Sequence, residues 1–269
     1  MPPPHPTTSD ARDARPNLLA ALARLIPRRP GTVIDGVRYV ERNRPGSLSP
    51  LRLGRTRVRE YDVRFPDGSR TRIRCTSRRQ YADLVGDWPL IPYRVAATRI
   101  RPGLRILDAR CGTGCGAALL ADAVGPSGAV VALETDGESI RYARRRYPAP
   151  TIAFELDDHS SLRGELDGAF DAVIAVGALR AGADHPADVA ELWRVIAPGG
   201  WLLLVAPTVE RAARDDDEPG RPAPLDERAL LALLRALPGL ERALPAPGLG
   251  AGRTGAWAFK ALPESPSAD

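Results

Sequence analysis

The chain has almost no lysine. Lys260 is the only one in 269 residues, and every other fixed cation is an arginine. With abundant alanine, proline and glycine, that usage points to a GC-rich genome more than to a need for arginine chemistry. Cysteine is also scarce. Cys75, Cys111 and Cys115 are too few and too unevenly placed for a disulfide framework. Cys111 and Cys115 stand in a CxxxC spacing, but no second ligand pair follows, and His5, His159 and His185 are the only histidines, so no metal site is expected. Aromatic residues make up 5% of the chain, leaving few platforms for stacked bases. No apolar run approaches the roughly 20 residues of a membrane helix. The opening MPPPHPTTSDARDARP lacks the apolar centre of a signal peptide. The expectation is a soluble cytoplasmic protein with no membrane partner and no metal.

What is present suffices for a substantial core. The hydrophobic fraction is 43%, and the length allows one large domain with a small module attached. Charge divides the chain. Residues 1–100 hold 20 arginines against nine acids, a formal +11, whereas residues 101–269 hold 18 cations against 24 acids, a formal −6. Either the two halves attract each other or the arginines simply solvate the surface, or the basic half meets an anionic partner.

Punctuation along the chain sets four regions. Residues 1–30 read as a flexible tail with a short amphipathic helix carrying Leu18, Leu19, Leu22, Leu25 and Ile26. Residues 31–95 read as a basic β-hairpin module and a connecting helix. Two hairpin signals lie there, an Asp-Gly inside TVIDGVRYVER and a PDGS turn inside VREYDVRFPDGSRTRIRC, with Arg64, Arg70, Arg72 and Arg74 near the second. Pro89 and Pro92 are expected to break the helical segment that follows. Residues 96–262 alternate strands (104–108, 129–134, 151–156, 170–175, 200–206) with helices (115–124, 138–147, 187–197), the pattern of a parallel sheet with right-handed crossovers. A helix over 227–237 and two last strands, near 240–244 and 255–262, complete it. Residues 208–224 read as an exposed acidic loop and 263–269 as a tail.

Four features within 96–262 carry chemistry. RILDARCGTGCG is a buried strand ending in Asp108, followed by a turn with Gly112 and Gly114 and then a helical run. A strand, glycine turn and helix in that order bring backbone close to a nucleotide-like ligand. Glu134 ends the apolar strand AVVAL one βαβ unit later, where an acid can accept hydrogen bonds from ribose hydroxyls. Asp158 and His159 end the third strand, where an acid can read an exocyclic amine; the neighbouring Asp157 is the alternative register. IAPGGWLLLVAP is a helix end stopped by a Pro-Gly turn before a fifth strand.

In this order the motifs resemble the class I S-adenosylmethionine-dependent methyltransferases of small-molecule type, over roughly residues 96–262. The resemblance implies a Rossmann-like α/β fold: a mostly parallel seven-stranded sheet with flanking helices, its last two strands antiparallel and the terminal one inserted, plus the basic N-terminal β-rich module. It implies S-adenosyl-L-methionine as cofactor. It places Asp108, Arg110, Gly112 and Gly114 along the first motif, Glu134 on the ribose, Asp158 at the adenine amine and His159 beside the ring. Ala175, in FDAVIAVGAL, falls at the methyl-transfer site. No fixed catalytic residue is implied, because the cofactor arrives activated.

Arg110 departs from the pattern, which has glycine there. The side chain then either turns outward, pairs with the cofactor carboxylate, or obstructs the pocket. Three functions follow. The leading one is methyl transfer to a small-molecule acceptor by in-line displacement. The alternatives are an RNA-directed methyltransferase that binds RNA through residues 31–95, and a catalytically inactive methyltransferase-like binding or regulatory protein.

Overall fold

The computed structural model describes residues 32–41, 59–75, 90–157, 162, 167–209 and 222–263. The expected helix near residues 18–26, Asp158, His159 and most of the acidic 208–224 segment lie outside the described residues.

Two sheets share one helix. The small sheet is an antiparallel meander of β1 (Thr32–Ile34), β2 (Val37–Glu41), β3 (Arg59–Arg64) and β4 (Arg70–Cys75). The Asp-Gly hairpin signal is realised between β1 and β2, with Asp35 and Gly36 both at positive φ (47° and 79°), as a two-residue turn with the strands' own twist requires. Two hairpins were expected. One four-stranded sheet forms instead, because β2 also pairs with β3. From Tyr61 onward burial alternates: Tyr61, Val63, Phe65, Thr71 and Ile73 are buried, and Asp62, Arg64, Arg70 and Arg72 are exposed.

The large sheet has the order β10-β11-β9-β8-β5-β6-β7. Its members are β5 (Arg105–Asp108), β6 (Ala129–Glu134), β7 (Ile152–Leu156), β8 (Phe170–Val176), β9 (Ile196–Pro207), β10 (Leu240–Pro245) and β11 (Arg253–Lys260). β5 to β9 are parallel; β11 runs antiparallel to both β9 and β10 and lies between them. Central strands are apolar on both faces because helices cover both. Ile106, Val130, Ala132, Ala172, Ile174 and Leu203 pack under α1 (Ile91–Ala97), α2 (Cys115–Val124) and α3 (Gly137–Arg146). Leu107, Val131, Val173, Ala175, Leu202 and Leu204 pack under α4 (His185–Arg194) and α5 (Glu227–Arg235).

Two boundaries differ from expectation for physical reasons. Pro92 sits in the first turn of α1 and starts it rather than breaking it; an N–H at that position would have no intrahelical acceptor. The APGG turn lies inside β9, where the register with β8 slips between Phe170 and Ala172. Gly200 is needed there, since a Cβ would sit 2.6 Å from the Asp171 carbonyl oxygen. The only lysine has a structural role: the Lys260 Nζ donates to the carbonyls of Trp193 (3.1 Å) and Ile196 (2.6 Å), satisfying groups a helix end leaves open.

The small sheet docks on the outer side of α3. Val37, Tyr39, Tyr61, Val63, Phe65 and Ile73 enclose Tyr142, and the hydroxyls of Tyr39 and Tyr142 lie 2.6 Å apart. The Thr71 hydroxyl donates to Glu138 (2.9 Å), and Arg146 pairs with Asp35. α3 therefore faces two cores: Ile140 and Ala143 toward the large sheet, and Tyr142 toward the small one.

Candidate functional site

β5 is the switch point of the large sheet. From it the chain moves outward through β6 and β7, then returns to build β8 and β9 on the other side. In open α/β sheets the crevice beyond the carboxyl ends at such a point is where ligands bind. The segment after β5 spans it: the amide of Ala109 donates to Ile174 of β8 (2.9 Å), and that of Cys111 donates to Leu133 of β6 (2.8 Å).

Three glycines shape the turn in different ways. Gly112 (φ +56°) faces open space, with nothing within 4 Å of an added Cβ. Gly114 (φ +86°) is the residue before α2 and is tightly packed; a Cβ there would stand 2.7 Å from the Ala143 Cβ and 2.9 Å from Phe154. At Gly116 a Cβ would lie 2.2 Å from the Tyr93 ring. Gly112 thus leaves room beside the turn, whereas Gly114 and Gly116 let α2 sit close to α3, β7 and α1.

Glu134 is buried at the end of β6 and anchored by the turn itself. Its Oε2 accepts from the Gly112 amide (3.0 Å), and its Oε1 accepts from the Thr135 amide (2.8 Å), the Thr135 hydroxyl (3.2 Å) and the Asp136 amide (3.3 Å). A carboxylate held by several donors keeps a fixed orientation. Beside it in the β6–β7 register stands Leu156, which is 60% exposed at the end of β7. Asp157 is exposed one residue further on.

Asp108 is fully buried at the end of β5. Its Oδ1 accepts from the Tyr93 hydroxyl (3.2 Å), while Oδ2 has no hydrogen-bond partner. Burial pushes its carboxyl up to about 7, assisted by the negative charge of Glu134, while the Tyr93 hydroxyl and the Arg110 amide act in the opposite direction. Tyr93 escaped the sequence reading. It lies in a segment read as a connector, and its contacts with Asp108 and Gly116 are long-range.

Arg110 reaches the neighbouring strand. It is half-buried, and its Nη1 donates to the Gly177 carbonyl just past β8 at 2.7 Å. Ala175 is fully buried in the core under α4 and α5, whereas Val176 is partly buried on the opposite side. The Cys111 thiol is held well above its ordinary range by burial, and the Cys115 thiol is pushed up to about 11 by burial. Both are neutral thiols, unsuited as nucleophiles. His185 heads α4, its Nε2 2.9 Å from the Arg180 carbonyl oxygen.

The site therefore offers an anchored carboxylate, an open glycine turn, an exposed apolar side chain and a buried carboxylate with an unsatisfied oxygen. That set fits a cofactor with a ribose, a base and an ammonium.

Comparison with known proteins agrees. The family profile described as "Methyltransferase domain" matches residues 106–200. A demethylmenaquinone methyltransferase of Symbiobacterium thermophilum is 36% identical over 115 residues, 41% of this chain and 45% of that protein. A ubiquinone/menaquinone biosynthesis C-methyltransferase of Stenotrophomonas maltophilia is 31% identical over 167 residues, 57% of this chain and 65% of that protein. The matched region thus spans about half to two thirds of the length of these relatives. A crystal structure of a SAM dependent methyltransferase from Aquifex aeolicus superposes with a TM-score of 0.54 at 19% identity, covering 67% of this chain and 96% of that one, a likeness of fold. The sheet order, the glycine turn and these matches lead to one conclusion: the chain carries a class I S-adenosylmethionine-dependent methyltransferase domain.

Proposed function

We propose that the chain transfers a methyl group to a small-molecule acceptor by in-line displacement, with the crevice beyond β5, β6 and β8 as the site. The observation that carries the reading is Glu134, a buried carboxylate tied to the Gly112 amide and set beside the open side of the turn. S-adenosylmethionine supplies an activated methyl group when bound. The chain's part is binding, orientation and exclusion of water. Glu134 accepts the ribose hydroxyls. Gly112 lets the backbone approach. Leu156 offers an apolar surface to the base. Asp108, buried beneath the turn, favours the ammonium through its negative charge. Val176 and Gly177 border the acceptor side.

One relative is named as a demethylmenaquinone methyltransferase and another as a ubiquinone/menaquinone biosynthesis C-methyltransferase; this supports a small acceptor with a nucleophilic carbon. Titration calorimetry tests the reading. Saturable binding of S-adenosylmethionine and S-adenosylhomocysteine is expected, and no heat at millimolar cofactor would remove it.

A second reading keeps the chemistry and places an RNA acceptor on the N-terminal sheet. One observation favours it. Arg38, Arg64 and Arg70 stand directly opposite one another across β2, β3 and β4, all exposed. Like charges so placed repel unless an anion covers them. RNA affinity that falls steeply with salt is the expected signature; absent or salt-insensitive binding removes this reading.

A further inference from the structure

The small sheet keeps its rings inside and its cations outside. Tyr39, Tyr61 and Phe65 are buried with Tyr142 of α3. Arg38, Arg64, Arg70 and Arg72 are exposed on the other face, against one exposed acid, Asp62. That acid is engaged by Arg72, whose Nε lies 3.4 Å from its Oδ1. The neighbouring row has no acid. Arg38 faces Arg64, and Arg64 faces Arg70, as direct partners across β2, β3 and β4. Among the described residues none of these three arginines has an ion-pair, hydrogen-bond or ring partner.

Cations about 5 Å apart in one cross-strand row repel one another. An anion with closely spaced charges removes that repulsion, and a guanidinium fork fits a phosphate with two bonds. The place of the rings decides which phosphate polymer fits. A four-stranded sheet that reads single-stranded RNA stacks the bases on aromatic side chains of its open face. Here the rings of Tyr39, Tyr61 and Phe65 are on the covered face, so an unpaired base finds none of them to stack on. Base-paired RNA hides its bases and offers its phosphates and ribose hydroxyls instead, at a higher charge density than a single strand. The open face also looks away from α3, which the inner face covers. A duplex lying on it is held as an anchor and is not fed into the crevice by these arginines.

We propose that the outer face of the small sheet docks base-paired RNA through its phosphates, with Arg38, Arg64 and Arg70 as the contacts and no base read. The inference rests on the RNA reading above and deepens it: the sheet is an anchoring surface for a duplex, separate from the crevice assigned to methyl transfer.

Binding measured by fluorescence anisotropy tests it. The probes are an RNA duplex, one of its strands alone, and a DNA duplex of the same sequence; phosphatidylglycerol vesicles are followed by co-sedimentation. The proteins are wild type, the sheet variant Arg38→Ala/Arg64→Ala/Arg70→Ala, and a control, Arg101→Ala/Arg228→Ala/Arg235→Ala, which removes the same charge from exposed positions outside the small sheet. Thermal melts confirm that each is folded. Wild type is expected to bind the RNA duplex more tightly than the single strand, and to lose about fortyfold or more in affinity between about 50 and 200 mM salt, the fall for three neutralised phosphates. The sheet variant is expected to lose at least about tenfold, with a salt slope flatter by about three, while the control stays within about threefold of wild type. Equal or tighter binding of the single strand, lost in the sheet variant, overturns the duplex proposal and leaves the RNA reading standing. Tighter binding of the DNA duplex than of the RNA duplex overturns the proposal, and so do equal losses in the sheet variant and the control, which would mean net charge alone. Binding to neither form of RNA removes the RNA reading itself, with or without capture by the vesicles.

Discussion

The β6 side and the β8 side of the crevice are built differently. On the β6 side the contacts are backbone amides and packed glycines: Gly112 ties to Glu134, and Gly114 fits between Ala143 and Phe154. On the β8 side a long charged side chain, Arg110, crosses to Gly177 beside a buried carboxylate whose Oδ2 has no partner. The first side tolerates little change, because its geometry is the turn itself. The second can be altered through side chains without disturbing the fold, which is where ligand preference is most readily tuned.

The largest expected effect sharpens this contrast. Gly114→Ala puts a Cβ into the Ala143 and Phe154 contact in a left-handed backbone, and should destabilise the chain by about 2–4 kcal/mol from overpacking and strain together. Arg110→Ala should change stability by less than about 1 kcal/mol. Urea melts of both variants compare the two sides directly, and equal losses would break the contrast.

Asp108 gives the next effect, in pH. Its carboxyl titrates near 3.8 when unfolded and is raised to about 7 by burial when folded. The folded chain therefore holds a proton that the unfolded chain releases. The stability this group contributes is complete below about pH 4, is lost as pH rises toward 7, and is flat above it. Asp108→Asn should remove that slope from the melting temperature between pH 4 and 8. In wild type, cofactor affinity should rise as pH passes through 7, because the charge of the ionised carboxylate favours the ammonium; the asparagine variant should not show this rise.

A smaller effect lies away from the crevice. Tyr142→Phe removes the partner of the Tyr39 hydroxyl, 2.6 Å away in the core between the small sheet and α3, and should cost about 1 kcal/mol. Cofactor affinity should stay within about twofold. A larger loss of affinity would show that the small sheet supports the crevice through α3.

Local patterns in the sequence were enough for the central elements. The apolar run AVVALE and the segment CGAALLADAV become β6 and α2 at the expected residues, because a strand buried on both faces and a helix opened by a glycine turn both leave continuous signals. The acid closing β6 was legible for the same reason. What escaped was long-range. Pairing of β2 with β3 bridges a separation that no local pattern records. Tyr93 acts on Asp108 and Gly116 from another helix. Leu156 looked like an ordinary apolar strand residue, and its exposure beside Glu134 depends on the register with β6. The direction of the Arg110 side chain depended on where Gly177 falls, which only the sheet order decides.

The proposed ribose contact of Glu134 is decided by calorimetric titration of wild type beside Glu134→Ala. Wild type is expected to bind S-adenosylmethionine saturably, and the variant to lose about tenfold to a hundredfold in affinity, the range for hydrogen bonds to a charged group. Equal affinity in the two proteins, or no binding by wild type at millimolar cofactor, would contradict it.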